Sequence, residues 1–244
     1  EKATGEKFIR MEMGVPGLAP SRIGTEAEIE ALKHGVAQFY PMLEGYPVLS
    51  EEASRFVKNF MDVDIRPEGI IPTVGAMQAS YVAFMALTEC HKGKDTILFI
   101  DPGFPVQKTQ LEVIGKPYQT FDIYEYREEK LEAKLREYLD RGNIAGIVYS
   151  NPNNPSWVCL TDFELQVIGK LATEYDTIIL EDLAYFAMDF RKDLGCPFEP
   201  PYQASVARYT DNYIMQISGS KAFSYAGQRI GVTAISNKLY HRSY

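Results

Sequence analysis

No apolar run in this sequence is long enough to cross a membrane. The longest nearly uninterrupted one, Tyr81–Leu87, falls far below the roughly 18 residues a span needs, and the polar opening Glu1–Arg10 has no apolar signal-peptide core. A cytoplasmic protein is expected. Cysteine is scarce: Cys90, Cys159 and Cys196 stand far apart with no C-x-x-C spacing, which excludes a disulfide scaffold. The three histidines, His34, His91 and His241, form no i,i+4 or H-E-x-x-H pair, so no metal site is expected. Basic charge is in deficit, 25 Lys and Arg against 33 Asp and Glu for a net charge of −8, which argues against nucleic acid as a partner. Internal repeats and low-complexity tracts are absent.

What remains is the composition of an ordinary folded protein: 244 residues, 45% hydrophobic, 12% aromatic and 24% charged, enough for one large domain. From about residue 70, β-rich runs alternate with helical patterns, the signature of parallel strands joined by crossover helices. Strands are expected at Ile70–Val74, Thr96–Asp101, Gln119–Ile123, Ile144–Ser150, Thr177–Glu181, Asn212–Ser218 and Arg229–Ser236. Several are continuous Ile/Val/Leu runs, as expected where both faces of a sheet are covered. Helical spacing fills Ala76–His91, Phe104–Ile114, Glu128–Arg141 and Thr161–Tyr175. Thr161-x-x-Glu164 reads as a capping box, and Thr25-x-x-Glu28 as another. Two further helices, near 25–40 and 51–62, precede any strand. The expected fold is a three-layer α/β/α sandwich around a mostly parallel seven-stranded sheet.

In such sheets ligands bind beyond the carboxyl ends of the strands, so the residues that follow each strand carry the most information. After Val74 comes Gly75-Ala76-Met77 at a helix start, whose free N–H groups suit a phosphate. Asp101 is followed by Pro-Gly-Phe-Pro, which puts Phe104 at the rim. Ser150 is followed by Asn-Pro-Asn-Asn-Pro-Ser, Glu181 by Asp182 and Tyr185, and Ser218 by Gly-Ser-Lys221. An amine, a buried acid, polar groups, an aromatic face and a phosphate cradle are what a ring cofactor with an aldehyde, a pyridine nitrogen and a phosphate requires. Taken singly each has a plainer reading: Lys221 as a solvated lysine, Asp182 as a helix cap, Asn154 as a turn former. Their common placement at strand ends is what argues for a site.

Four of these segments resemble motifs of the class I/II aminotransferases, fold-type-I pyridoxal-phosphate enzymes. Ser218-Gly-Ser-Lys-Ala-Phe-Ser-Tyr-Ala-Gly-Gln-Arg-Ile-Gly231 is similar to the family's S-x-S-K signature with its downstream G-x-R-x-G. The resemblance implies that Lys221 is the Schiff-base lysine and that Arg229, Ser218 and Ser220 bind phosphate together with Gly75, Ala76 and Met77. Asn151-Pro-Asn-Asn-Pro-Ser156 resembles N-P-x-N-P-T-G, making Asn154 the partner of the phenolic oxygen and a substrate contact. Glu181-Asp-Leu-Ala-Tyr185 resembles D-x-x-Y, with Asp182 on the ring nitrogen and Tyr185 on the phenolic oxygen. Asp101-Pro-Gly-Phe-Pro resembles D-P-x-Y-P, with Phe104 stacked on the ring.

Nearer the start, Gly14-Val-Pro-Gly resembles a G-x-P loop beside the substrate carboxylate, which implicates Gly14 and Val15. Tyr40-Pro-Met-Leu-Glu-Gly45 resembles the segment whose tyrosine reaches the neighbouring subunit's phosphate, implying a homodimer through Tyr40. Two departures stand out: Ser156 replaces Thr, and Trp157 replaces Gly. Family members run well past the phosphate-binding arginine, so the resemblance implies an arm and substrate loop over 1–40 and a cofactor-binding large domain over 41–244. That large domain is expected to be incomplete at its C-terminal end, with the small domain largely missing. The implied reaction moves an amino group from an amino acid to a 2-oxo acid. A lyase, decarboxylase or synthase on the same lysine, or a non-catalytic cofactor-binding sensor, stay open as alternatives.

Overall fold

Strands made largely of apolar side chains are buried on both faces, and here they form the centre of the sheet. The computed structural model describes residues 3–9 and 14–242. Its strands are β1 (Ile70–Val74), β2 (Thr96–Asp101), β3 (Tyr118–Asp122), β4 (Ile144–Ser150), β5 (Ile178–Leu183), β6 (Tyr213–Ser218) and β7 (Ile230–Ile235). They lie in the order β1-β7-β6-β5-β4-β2-β3. β7 is antiparallel to both its neighbours and every other pairing is parallel. All residues of β4, β5 and β6 are buried.

The helices are α1 (Arg22–Lys33), α2 (Pro47–Met61), α3 (Gly75–Leu87), α4 (Pro105–Ile114), α5 (Glu129–Leu139), α6 (Asp162–Glu174) and the short α7 (Asn237–Tyr240). Leu131, Leu135 and Leu139 of α5, Leu165 and Ile168 of α6 and Val57 of α2 pack with Ile179 and Leu183 of β5 on one face. Phe84 and Leu87 of α3, Leu111 of α4 and Leu239 of α7 pack with Ile178 and Leu180 on the other. Alternate side chains of one strand thus serve two cores, and the three-layer α/β/α arrangement with seven strands stands as expected.

The capping box at α6 is present: Thr161 Oγ1 accepts from the Glu164 N–H at 3.2 Å, and Glu164 Oε2 accepts from the Thr161 N–H at 2.9 Å. A cap of this kind is worth about 1 kcal/mol. The second capping box is not. α1 begins at Arg22, so Thr25 lies inside it and donates its hydroxyl to the Arg22 carbonyl at 3.0 Å. Glu28, instead of capping, accepts from the Tyr225 hydroxyl. Nor does α1 reach residue 40: Gly35 takes a left-handed φ of 80° and ends it. α2 begins earlier than expected because Pro47 suits the first helical turn. Strand limits differ from expectation by a residue or two, as at β5, which runs on to Leu183. Before Ser50 no described residue is buried.

Candidate active site

Because β1, β2, β4, β5 and β6 point the same way, their carboxyl ends open on one side, and antiparallel β7 begins there. A cavity of about 420 Å³ lies at this edge. Its wall draws on the segments after all five of those strands, and on Gly14.

Asp182 stands at its floor, on β5 and 6% exposed. Oδ1 accepts from the Ala184 N–H at 3.0 Å and Oδ2 from Gln107 Nε2 at 3.0 Å. No described cation pairs with it. Burial therefore dominates and lifts its pKa from 3.8 to about 6, against the pull of those two hydrogen bonds. Its strand neighbour Glu181 projects to the opposite face. There it accepts from Tyr149 Oη at 3.1 Å and from the Ser205 hydroxyl, and burial lifts it to about 7.

Lys221, three residues beyond β6, reaches across the cavity mouth. Its Nζ donates to the carbonyl oxygen of Gly14 and lies 6.0 Å from the centre of the Tyr185 ring. Burial, with the Arg229 charge second, lowers its pKa. The Tyr185 hydroxyl is raised by burial and then by the Asp182 charge.

The third corner is built for an anion. α3 starts at Gly75, whose φ is +69°, and a Cβ there would run into Arg229 Nη2. Only glycine lets the guanidinium lie against the helix start. Arg229 donates to the Ala226 carbonyl at 2.8 Å and pairs with no carboxylate among the described residues. Ser218 Oγ donates to Ser220 Oγ at 2.8 Å, and both residues line the cavity with Ala76 and Met77. A helix N-terminus, two hydroxyls and an arginine with no described carboxylate partner are the kinds of donor that a phosphate takes. With the buried acid, the lysine and the half-buried Phe104 ring in the same wall, these residues fit pyridoxal phosphate.

Gly75→Ala should lower the affinity for that cofactor about tenfold, since its Cβ displaces the Arg229 guanidinium from the helix start and a charge-assisted hydrogen bond is worth about 1.5 kcal/mol. The dissociation constant from a cofactor titration is the check; an unchanged value would show that the arginine moves aside at no cost.

Asn154 lines the cavity, held by its N–H donating to Ser150 Oγ at 3.1 Å. The preceding Asn153 pins this loop to the one after β2 by donating to the Pro102 carbonyl at 2.7 Å. Trp157 has a left-handed φ of 58°, which explains why a glycine suits that place. Its ring stands edge-on to Tyr185 at 5.5 Å and stacks on the exposed Phe190 at 5.9 Å, outside the cavity wall.

Two expected contacts are not assembled in this chain alone. Val15 is exposed and does not line the cavity, unlike its neighbour Gly14; Tyr40 is 100% exposed and also stands apart from it. Gln107, Ser80 and Ser150 line the cavity without having been singled out from the sequence. Gln107 had a signal: it follows Phe104 by three residues at the start of a helix, and so shares its face.

Comparison with known proteins bears on the whole chain. The profile of the family described as "Aminotransferase class I and II" matches residues 6–242. A probable aspartate aminotransferase of Methanocaldococcus jannaschii is 26% identical over 95% of this chain and 58% of its own length. An aspartate aminotransferase of Pyrococcus horikoshii is 28% identical over 96% of this chain and 57% of its own. The chain thus spans less than two thirds of these curated relatives. Among solved structures, an alanine aminotransferase from Pyrococcus furiosus superposes with a TM-score of 0.81 at 24% identity, covering 98% of this chain and 60% of that one. An aspartate aminotransferase from Thermotoga maritima gives 0.80 at 22%, covering 98% and 61%.

Proposed function

The chain belongs to the class I and II aminotransferase family, whose members work with pyridoxal phosphate, and from that premise we propose that its cavity binds this cofactor and serves amino-group transfer from an amino acid to a 2-oxo acid. The observation that carries the reading is one cavity with Lys221 at its mouth, buried Asp182 at its floor and, at a helix start, Arg229 with no carboxylate partner among the described residues. When bound, the cofactor supplies an aldehyde that captures amines and a ring that withdraws electrons from the α-carbon.

The chain's own groups do the rest. Arg229, Ser218, Ser220 and the N–H groups of Gly75–Met77 hold the phosphate. Lys221 Nζ, its pKa lowered by burial and Arg229, would anchor the aldehyde and is the amine placed to take and return the substrate's α-proton. Asp182 would hold the charge of the ring nitrogen, and Phe104 would offer the ring an aromatic wall. Asn154 and Tyr185 orient the phenolic oxygen, while Gly14, whose carbonyl lies beside Lys221, borders the substrate. The exposed Tyr40 fits a homodimer in which it reaches the neighbouring cradle. No helix among the described residues is long and apolar enough to cross a membrane.

The test offers the cofactor-loaded protein a panel of amino acids and a 2-oxo acid and follows nitrogen by mass spectrometry. Transfer of the label into a new amino acid is the expected result. Loss of carbon dioxide or a side chain without transfer would place the reaction among the lyases instead.

A further inference from the structure

The first turns of α4 send two glutamines inward, one helical turn apart, and each grips a different part of the site. Gln107 is buried and donates to Asp182 Oδ2 at 3.0 Å. Gln110, also buried, donates from Nε2 to the carbonyl of Met77 at 2.8 Å, in the opening turn of α3, while its Oε1 accepts from the Ser80 hydroxyl at 2.7 Å. Residues three apart lie on the same helix face. One rigid element therefore touches both the acid at the floor and the turn that presents N–H groups to an anion.

We propose that Gln107 and Gln110 are positioning residues through which α4 sets the acid and the anion cradle relative to one another, Gln107 holding the carboxylate of Asp182 and Gln110 the first turn of α3. The proposal rests on the reading of Asp182 and Gly75–Met77 as cofactor ligands. An amide is suited to this work because it stays neutral across the working pH range and gives N–H and C=O in one plane. For Gln110 both ends are used, which fixes the amide's orientation. For Gln107 the donor end meets a carboxylate, and charge-assisted bonds are the stronger kind. The other titratable or charged groups near Asp182 are Tyr185 on its own loop and Lys221 and Arg229 across the cavity. α3 carries no charged side chain, and on α4 Lys108 is engaged with Asp101 at 2.6 Å.

The two grips are separable by experiment on the intact protein without cofactor. Carbon-13 NMR follows the Asp182 carboxyl against pH, and phosphorus-31 NMR follows binding of inorganic phosphate. Gln107→Met, which keeps length and volume but removes the donor, should raise the Asp182 midpoint by about one pH unit and leave phosphate affinity within about twofold. Gln107→His returns an N–H donor and should bring the midpoint back to or below the wild-type value. Gln110→Met should weaken phosphate binding about tenfold without moving the Asp182 midpoint. Ser80→Ala, which frees the other end of the Gln110 amide, should weaken it about threefold. Wild-type phosphate binding and an Asp182 midpoint that none of these variants alters overturn this proposal alone. A wild type that fails to bind phosphate overturns the cofactor reading, and the Gln110 half of the proposal with it.

Discussion

Lys221→Ala is expected to abolish the visible absorbance that marks covalently anchored pyridoxal phosphate and to lower amino transfer by at least about 10⁴-fold. Two separate duties converge on one Nζ. It is the only amine in the cavity wall among the described residues, and burial together with Arg229 shifts it toward its neutral, nucleophilic form. Alanine removes the covalent anchor and the base together. Lys221→Arg separates charge from chemistry: the guanidinium keeps the positive charge but does not deprotonate, so the band and the activity should stay lost. Absorbance spectra of the purified variants after removal of free cofactor, with single-turnover kinetics, decide the matter. Retained activity in either variant would move the amine elsewhere in the chain.

Asp182→Asn should have a double effect, loss of catalysis and gain of stability. Buried with no described cation paired to it, Asp182 keeps its proton to about pH 6 in the fold and only to 3.8 when exposed. Between those values the folded state binds the extra proton, so stability falls as pH rises, and the burial penalty is fully present above pH 6. It amounts to about 3 kcal/mol. Asparagine is neutral throughout, so the cofactor-free variant should be more stable than wild type by up to that amount at pH 8 and equal to it near pH 4. Gln107 accommodates the change by turning its amide so that the carbonyl accepts from the new NH₂. Turnover should drop by at least about 10²-fold, since a neutral amide does not hold the cofactor ring's positive charge. Urea unfolding at the two pH values and steady-state rates test both halves. Equal stability at pH 8 would mean that water or an ion already relieves Asp182; undiminished turnover would remove it from the ring nitrogen.

That trade explains why so much of the site was legible in the sequence. Asp182, Lys221, Arg229, Phe104 and Asn154 are residues that local structure does not require, at strand ends where periodic patterns stop, so they stood out against strands chosen for burial alone. Gln107 and Gln110 did not stand out, because a glutamine in a helix is ordinary and its partner here lies on another element. The strands were visible for a related reason: β4, β5 and β6 each open on an apolar run, Ile144–Tyr149, Ile178–Leu180 and Tyr213–Met215, before any polar residue interrupts it. α1 misled because Ile29, Leu32, Val36 and Phe39 keep helical spacing straight through Gly35, where the left-handed turn outweighs the pattern. Side-chain periodicity reports which face is apolar, not where the backbone changes hand.

The position of β7 has a thermodynamic consequence. Gly75 comes from the β1–α3 junction and Arg229 from the entry to β7, two strands paired at the margin of the sheet though far apart along the chain. Close approach there leaves no room for side chains: a Cβ on Gly231 would lie 3.0 Å from the Gly75 carbonyl carbon. A phosphate held by both sides acts as a staple across that seam, and the unfolded chain, which does not bring them together, binds it poorly. Each tenfold rise of cofactor above its dissociation constant then adds about 1.4 kcal/mol to the fold. On the proposed reading of the site, amide hydrogen exchange in β1 and β7 should slow on cofactor binding before it does in the buried centre, and the cofactor would govern how long the sheet's edge stays closed as well as what the site can do.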